Sequence, residues 1–152
     1  MKLSSKGRYG VRAVFDIAFH SDGRATQVRD IAERQDIPAR FLEQIFQDLK
    51  RAGLVSSKRG PRGGYQLAKP PDQIRMGDVI RALEGPIDLG SKDKTILASG
   101  DATSLRVTEE ALGELSLQLS ACFDGVSFAD LCVRGETLGV QRGPKGRYVY
   151  TI

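Results

Sequence analysis

Between Val28 and Leu49 two short apolar stripes flank a break, Asp36-Ile37-Pro38, and this break constrains the possible folds most tightly. The residue before a proline avoids the helical region, whereas the proline itself suits the first turn of a following helix. Val28, Ile31 and Ala32 therefore predict a short helix ending near Gln35 with Thr26 as its cap, and a further helix starting at Pro38. Leu42, Ile45, Phe46 and Leu49 form the stripe of that second helix, Phe41 adds to it, and Gly53 supplies the left-handed residue that ends it. An earlier helix is predicted from Lys6 to His20, where Val11, Val14, Phe15 and Ala18 share one face widened by Tyr9, Ile17 and Phe19. Helix, short helix, tight break and helix is the spacing of a helix-turn-helix.

The next segment sharpens that reading. Leu54-Val55-Ser56-Ser57-Lys58 and Tyr65-Gln66-Leu67-Ala68 read as strands joined by Arg59-Gly60-Pro61-Arg62-Gly63-Gly64, a β-hairpin placed as a wing. No acidic residue occurs between Asp48 and Asp72, so Lys58, Arg59 and Arg62 stand unopposed. Glycine lets a backbone approach a ligand closely, and arginine and lysine neutralise phosphates or enter a narrow minor groove. Residues 1–69 hold 14 Lys and Arg against 7 Asp and Glu, while residues 70–152 hold 9 against 12. The basic N-terminal part thus suits a polyanion such as double-stranded DNA. The bland alternative is an ordinary hairpin and a solvated basic rim.

Pro70-Pro71 closes the basic unit, and Ile74, Val79, Ile80 and Leu83 predict a short helix stopped by Gly85-Pro86. The expected organisation is a winged helix-turn-helix over residues 1–86, a loop over 87–107, a long helix and a short one over 108–133, and a tail over 134–152. The fold class is mainly α with a small β-hairpin. Thr108 is the expected cap of the long helix, with Glu109 and Glu110 in its first turn. Leu112, Leu115, Leu119 and Cys122 or Phe123 then lie along one face, and a second copy of the same helix is the economical partner. The competing reading packs that helix on its own N-terminal unit. Ser127 and Asp130 cap a small helix through Leu131.

Composition removes several classes. With 40% hydrophobic and 28% charged residues the chain is globular in type, and no apolar run exceeds three residues, which argues against a membrane span or an export signal. Two cysteines (Cys122, Cys132) and one histidine (His20) supply neither a disulfide framework nor a zinc site of the usual kind, so no metal or other cofactor is expected and the cytoplasm is the natural setting. An enzyme is not expected either: His20 has no evident nucleophile beside it, and no phosphate-cradling glycine loop follows a strand.

Lys2-Leu3-Ser4-Ser5-Lys6-Gly7-Arg8-Tyr9, Phe41-Leu42-Glu43-Gln44, Ala52-Gly53-Leu54-Val55 and Arg59-Gly60-Pro61-Arg62-Gly63-Gly64-Tyr65 closely resemble the winged helix-turn-helix regulators that include IscR, NsrR and CymR. The resemblance implies a dimeric bacterial transcription factor, usually a repressor, on a palindromic operator. It carries Glu43 and Gln44 over as base-reading residues and Arg59 as the wing residue of the minor groove, which suits their chemistry. Lys6, Arg8, Arg40, Lys58, Arg62 and Tyr65 are the accompanying candidates for phosphate contacts. Cluster-binding members carry three cysteines in the loop that is residues 87–107 here, and this sequence has none there. The type implied is the cluster-free cysteine metabolism repressor, whose signal is association with cysteine synthase (O-acetylserine thiol-lyase). Tyr150, Thr151 and Ile152, with their terminal carboxylate, are the corresponding candidates for binding that enzyme; the alternative is a tail that packs on the protein itself. Thiol sensing through Cys122 and Cys132, and a winged helix that binds protein rather than DNA, are the other readings.

Overall fold

The computed structural model describes residues 2–90 and 102–142. In chain order the elements are α1 (Ser5–His20), α2 (Val28–Gln35), α3 (Ala39–Arg51), β1 (Val55–Lys58), β2 (Gly64–Leu67), a 3-10 turn (Pro71–Gln73), α4 (Met76–Glu84), α5 (Ala102–Asp124) and α6 (Phe128–Thr137). The two strands pair antiparallel from Val55 opposite Leu67 to Lys58 opposite Gly64. The mainly helical class and the winged helix-turn-helix read from the sequence are therefore present.

Helix α1 occupies the centre and packs against α2, α3, α4, α6 and β2. Ala13, Val14 and Ile17 of α1 are buried with Ile31 of α2, Leu42, Ile45, Phe46 and Leu49 of α3, and Val79 and Leu83 of α4. Burying each of these larger aliphatic or aromatic side chains favours the fold by about 1.5–3 kcal/mol. The helices α1 and α4 cross closely: a Cβ at Gly10 would lie 2.0 Å from Leu83 Cδ1, so a larger residue would push the crossing apart. Phe128 of α6 joins the same core, and the peptide N–H groups of Met76 and Phe128 donate to the carbonyls of Val126 and Ile74 at 2.9 and 3.0 Å. The C-terminal helices are thereby fastened to the winged unit.

Several local expectations change. Thr26 does not cap α2: Gln27 holds that position without a side-chain cap, and the Thr26 backbone instead exchanges two 2.8 Å hydrogen bonds with Tyr65. Pairing with the wing has claimed the residue that local propensity assigned to the helix end. Thr108 does not cap α5, which begins at Ala102 and is 23 residues long. Its hydroxyl donates back to the Leu105 carbonyl at 2.9 Å, which satisfies a threonine inside a helix. Glu109 and Glu110 accordingly lie outside the first turn. Phe41 is 55% exposed and is not part of the buried α3 stripe. Ser127 does cap α6, its Oγ accepting from the Asp130 N–H while the Asp130 carboxylate accepts from the Ser127 N–H. The helix continues past Leu131 to Thr137.

Candidate nucleic-acid interface

Two elements build the candidate surface. On α3 the fully buried Leu42, Phe46 and Leu49 fix the rotation of the helix, and that rotation leaves Arg40, Glu43, Gln44 and Gln47 exposed along its outer side. Arg40, Phe41, Glu43, Gln44 and Gln47 wall an open hollow of about 500 Å³. The candidates Arg40, Glu43 and Gln44 are thus exposed, with Gln44 also hydrogen-bonded to Asp48. Their donors and acceptors match the hydrogen-bonding edges of bases in a major groove.

The wing is held in place from three sides. Lys50 at the end of α3 donates to Ser57 Oγ on β1 at 2.7 Å, Gln27 at the start of α2 donates to the Pro61 carbonyl at 3.3 Å, and Thr26 pairs with Tyr65. Phe46 and Tyr65 stack with ring centroids 4.5 Å apart, so Tyr65 is half-buried and anchors the wing to the core. Its ring is committed to that role. The glycines of the loop also serve the chain itself: a Cβ at Gly64 would meet the Thr26 carbonyl oxygen at 2.1 Å, and one at Gly63 the Lys58 carbonyl oxygen at 2.3 Å. Lys58, Arg59 and Arg62 are all exposed on the hairpin.

Lys6 is already paired. Its Nζ lies 2.6 Å from Asp48 on α3, with Arg51 at 3.1 Å on the other carboxylate oxygen. The hydrogen bond from Lys6 is the main cause of the lowered Asp48 pKa. Lys6 therefore clamps α1 to α3, while Arg8 on α1 is exposed. A second clamp, with no spacing signal in the sequence, joins α1 to α2: buried Asp16 accepts from Arg34 Nε at 3.0 Å, Arg34 Nη2 at 2.7 Å and Gln35 Nε2 at 2.9 Å. That hydrogen bonding raises the Arg34 pKa.

On α5 the five expected interface residues divide. Leu112, Leu119 and Phe123 are half-buried, on the side that carries buried Ser116, whereas Leu115 and Cys122 are exposed. Leu117 and Val107 are exposed as well, at 73% and 64%. Arg81 of α4 fixes the lower part of α5 by donating to Asp124 at 2.6 Å and Ser120 at 3.0 Å. Tyr150, Thr151 and Ile152 lie outside the described residues. Cys132 on α6 is half-buried, and burial raises its pKa, which keeps it a thiol rather than a reactive thiolate.

A helix-turn-helix whose second helix presents polar side chains outward, followed by a tethered basic wing, defines a DNA-binding transcriptional regulator rather than an enzyme. Residues 3–134 match the profile of the Rrf2 family, described as iron-dependent transcriptional regulators, and the chain belongs to that family. It is 41% identical over 136 residues to the regulator IscR of Aliivibrio salmonicida, covering 90% of this chain and 80% of that relative. Among solved structures it resembles T. potens IscR, with a TM-score of 0.73 and 34% identity over 94% of each chain. It also resembles CymR, the global cysteine regulator of B. subtilis, with a TM-score of 0.71 and 32% identity over 88% of this chain and 98% of that one. No helix among the described residues is long and apolar enough to cross a membrane.

The family description implies iron, and the donor set can be tested against it. Iron–sulfur clusters are held mainly by cysteine thiolates. The chain has two cysteines in all, none of them between residues 87 and 107. Among the described residues no group of three or more His, Cys, Asp or Glu is placed to hold a metal ion. The residues present do not fit an iron–sulfur cluster.

Proposed function

We propose that the chain is a homodimeric repressor that binds a palindromic operator without an iron–sulfur cluster. Glu43 and Gln44 read bases in the major groove, Arg59 enters the minor groove, and Arg8, Arg40, Lys58 and Arg62 contact phosphates. Lys6 and Tyr65 support the surface from within, on the strength of the Asp48 pair and the Phe46 stack. The observation that carries the reading is one chain holding both an uncovered recognition helix and a 23-residue helix with Leu115 and Cys122, seven residues apart on one side, left exposed. A regulator that reads two half-sites needs two copies, and α5 offers the apolar side on which they meet.

The signal is proposed to be a partner protein, cysteine synthase, acting through Tyr150, Thr151 and Ile152, with genes of cysteine and sulfur metabolism under control in the cytoplasm. Likeness to a cysteine regulator and the missing cluster ligands support this part. The test is sequencing of genomic fragments retained by the purified protein, with and without cysteine synthase, alongside sedimentation of the protein and of Leu115→Asp. The expected result is one enriched palindrome near sulfur genes, its retention altered by the enzyme. Wild type should sediment as a dimer and Leu115→Asp as a folded monomer that binds the palindrome at least about tenfold more weakly. A wild-type monomer, or fragments sharing no sequence, refutes the dimeric repressor; retention indifferent to the enzyme refutes the partner alone.

A further inference from the structure

Phe41 is the one large apolar side chain of α3 left in water, 55% exposed, while Leu42, Ile45, Phe46 and Leu49 are all at 1% or less. It sits in the wall of the outer hollow beside Arg40, Glu43, Gln44 and Gln47. Its ring is not loose: Tyr9 of α1 meets it edge to face, with centroids 6.2 Å apart and planes at 71°, and Arg12 lies over the Tyr9 ring at 5.7 Å. Phe41 and Gln44 are three residues apart, so they are neighbours on the helix surface. The polar residues around the hollow can satisfy base edges by hydrogen bonds, and Phe41 cannot. The apolar feature that a base pair shows in the major groove is the thymine 5-methyl group.

We propose that Phe41 contacts the 5-methyl group of a thymine beside the base that Gln44 reads, and so sets a preference for A·T at that step. The inference rests on the DNA-reading role of α3 proposed above. It also gives a reason for an aromatic ring held by Tyr9 at a position where a helix surface ordinarily carries a polar residue. A rigid ring gives up little rotamer freedom when it meets the methyl group.

Replacing thymine by uracil removes that methyl group and leaves every hydrogen-bonding edge intact, so the test is a titration of the operator with each thymine replaced in turn. Losing one buried methyl corresponds to about a fourfold weakening per half-site, and about fifteenfold when both half-sites are changed. Wild-type protein is expected to show this loss at one thymine in each half-site. Phe41→Ala binds the unmodified operator more weakly and shows no further loss with uracil there, whereas Arg59→Ala keeps the uracil effect. Circular dichroism checks the fold, and Phe41→Ser serves as the second variant. A uracil effect undiminished in the Phe41 variants overturns the proposal, as does wild-type protein indifferent to every replacement. The unmodified duplex separates the two readings: failure to bind it selectively overturns both, while selective binding without a uracil effect overturns the role of Phe41 alone.

Discussion

Asp16 and Arg34 form one ion pair, yet removing either partner has a different cost, because the carboxylate is fully buried and the guanidinium side chain only partly so. The Asp16 side chain is 0% exposed and that of Arg34 is 34% exposed. In Asp16→Ala the guanidinium loses its two bonds but reaches water, and the cost of keeping a carboxylate out of water disappears with it. Charge-assisted hydrogen bonds contribute about 1.5–3 kcal/mol each, much of it recovered here by rehydration, which leaves a net loss of about 2 kcal/mol. In Arg34→Met the carboxylate stays buried with the Gln35 amide as its remaining partner at 2.9 Å. Stranding a buried charge in this way costs about 3–5 kcal/mol. For a chain of this size each kcal/mol moves the midpoint by about 2–4 °C, so the expected falls are about 4–8 °C for Asp16→Ala and about 6–20 °C for Arg34→Met. The assay is thermal unfolding of the full chain at neutral pH and one fixed protein concentration, since any self-association makes a midpoint depend on concentration. The double variant should be milder than Arg34→Met, because it removes the stranded charge. An Asp16→Ala variant less stable than Arg34→Met, or a double variant worse than both, would refute the reasoning.

Two further outcomes follow from the same geometry. Gly64→Ala drives a Cβ to within 2.1 Å of the Thr26 carbonyl oxygen; the wing should detach, with a stability loss of about 1–3 kcal/mol and a larger drop in operator affinity than Gly60→Ala, which shares the strain of a positive φ (+106° against +142°) but whose Cβ meets open space. Operator titrations of the two variants, with unfolding midpoints, check this, and equal effects would sink it. Burial lowers the His20 pKa below its ordinary 6.5, against the opposing pull of Asp16, while Arg34 and Arg142 lower it further. Because the unfolded chain then binds the proton more readily, this contribution to stability is full above about pH 6.5 and is lost as pH falls through the folded value. Unfolding followed from pH 7.5 to 5 should show that loss in wild type and not in His20→Gln. The lowered Asp48 and Asp130 carboxylates act on the same side but at lower pH, since their ordinary value is 3.8.

Much of the recognition surface was legible because it depends on local rules. The Asp36-Ile37-Pro38 break and the α3 stripe set which residues of α3 point inward, whereas Glu43 and Gln44 are candidates through the family resemblance alone. Phe41 shows the limit of such counting: it lies beside the buried stripe, and whether it joins the core depends on where α1 and Tyr9 sit. The wing glycines were read as room for a ligand, but the close approaches at Gly63 and Gly64 are to the Lys58 and Thr26 carbonyls, which no local spacing reveals. Thr26 failed for the same reason, since its tertiary partner Tyr65 lies 39 positions away. The Asp16–Arg34 and Lys6–Asp48 clamps likewise join residues on different helices. On α5 the expected stripe is covered unevenly: Leu112, Leu119 and Phe123 are half-buried while the neighbouring Leu115 and Cys122 are exposed, a difference that only the rest of the fold decides.

That division has a consequence for how a signal reaches DNA in a chain without cluster ligands. The inner side of α5 is tied to the winged unit through Arg81, Asp124 and Ser120, and Ile74 and Met76 bond Phe128 and Val126 where α5 gives way to α6. The orientation of α3 relative to α5 is therefore set within one core. The segment after α4 joins this frame at one further point, where the Leu89 N–H donates to Ser116 Oγ at 2.8 Å. Ser116 is the buried residue of α5, and its hydroxyl passes the bond on to the Leu112 carbonyl. Ser116→Ala removes this link between residues 87–90 and the middle of α5. For the proposed dimer, the expected outcome of Ser116→Ala is a changed preference for the spacing between half-sites with the bases read unchanged, checked by titrating palindromes of stepped spacing; altered base preference at fixed spacing would overturn it.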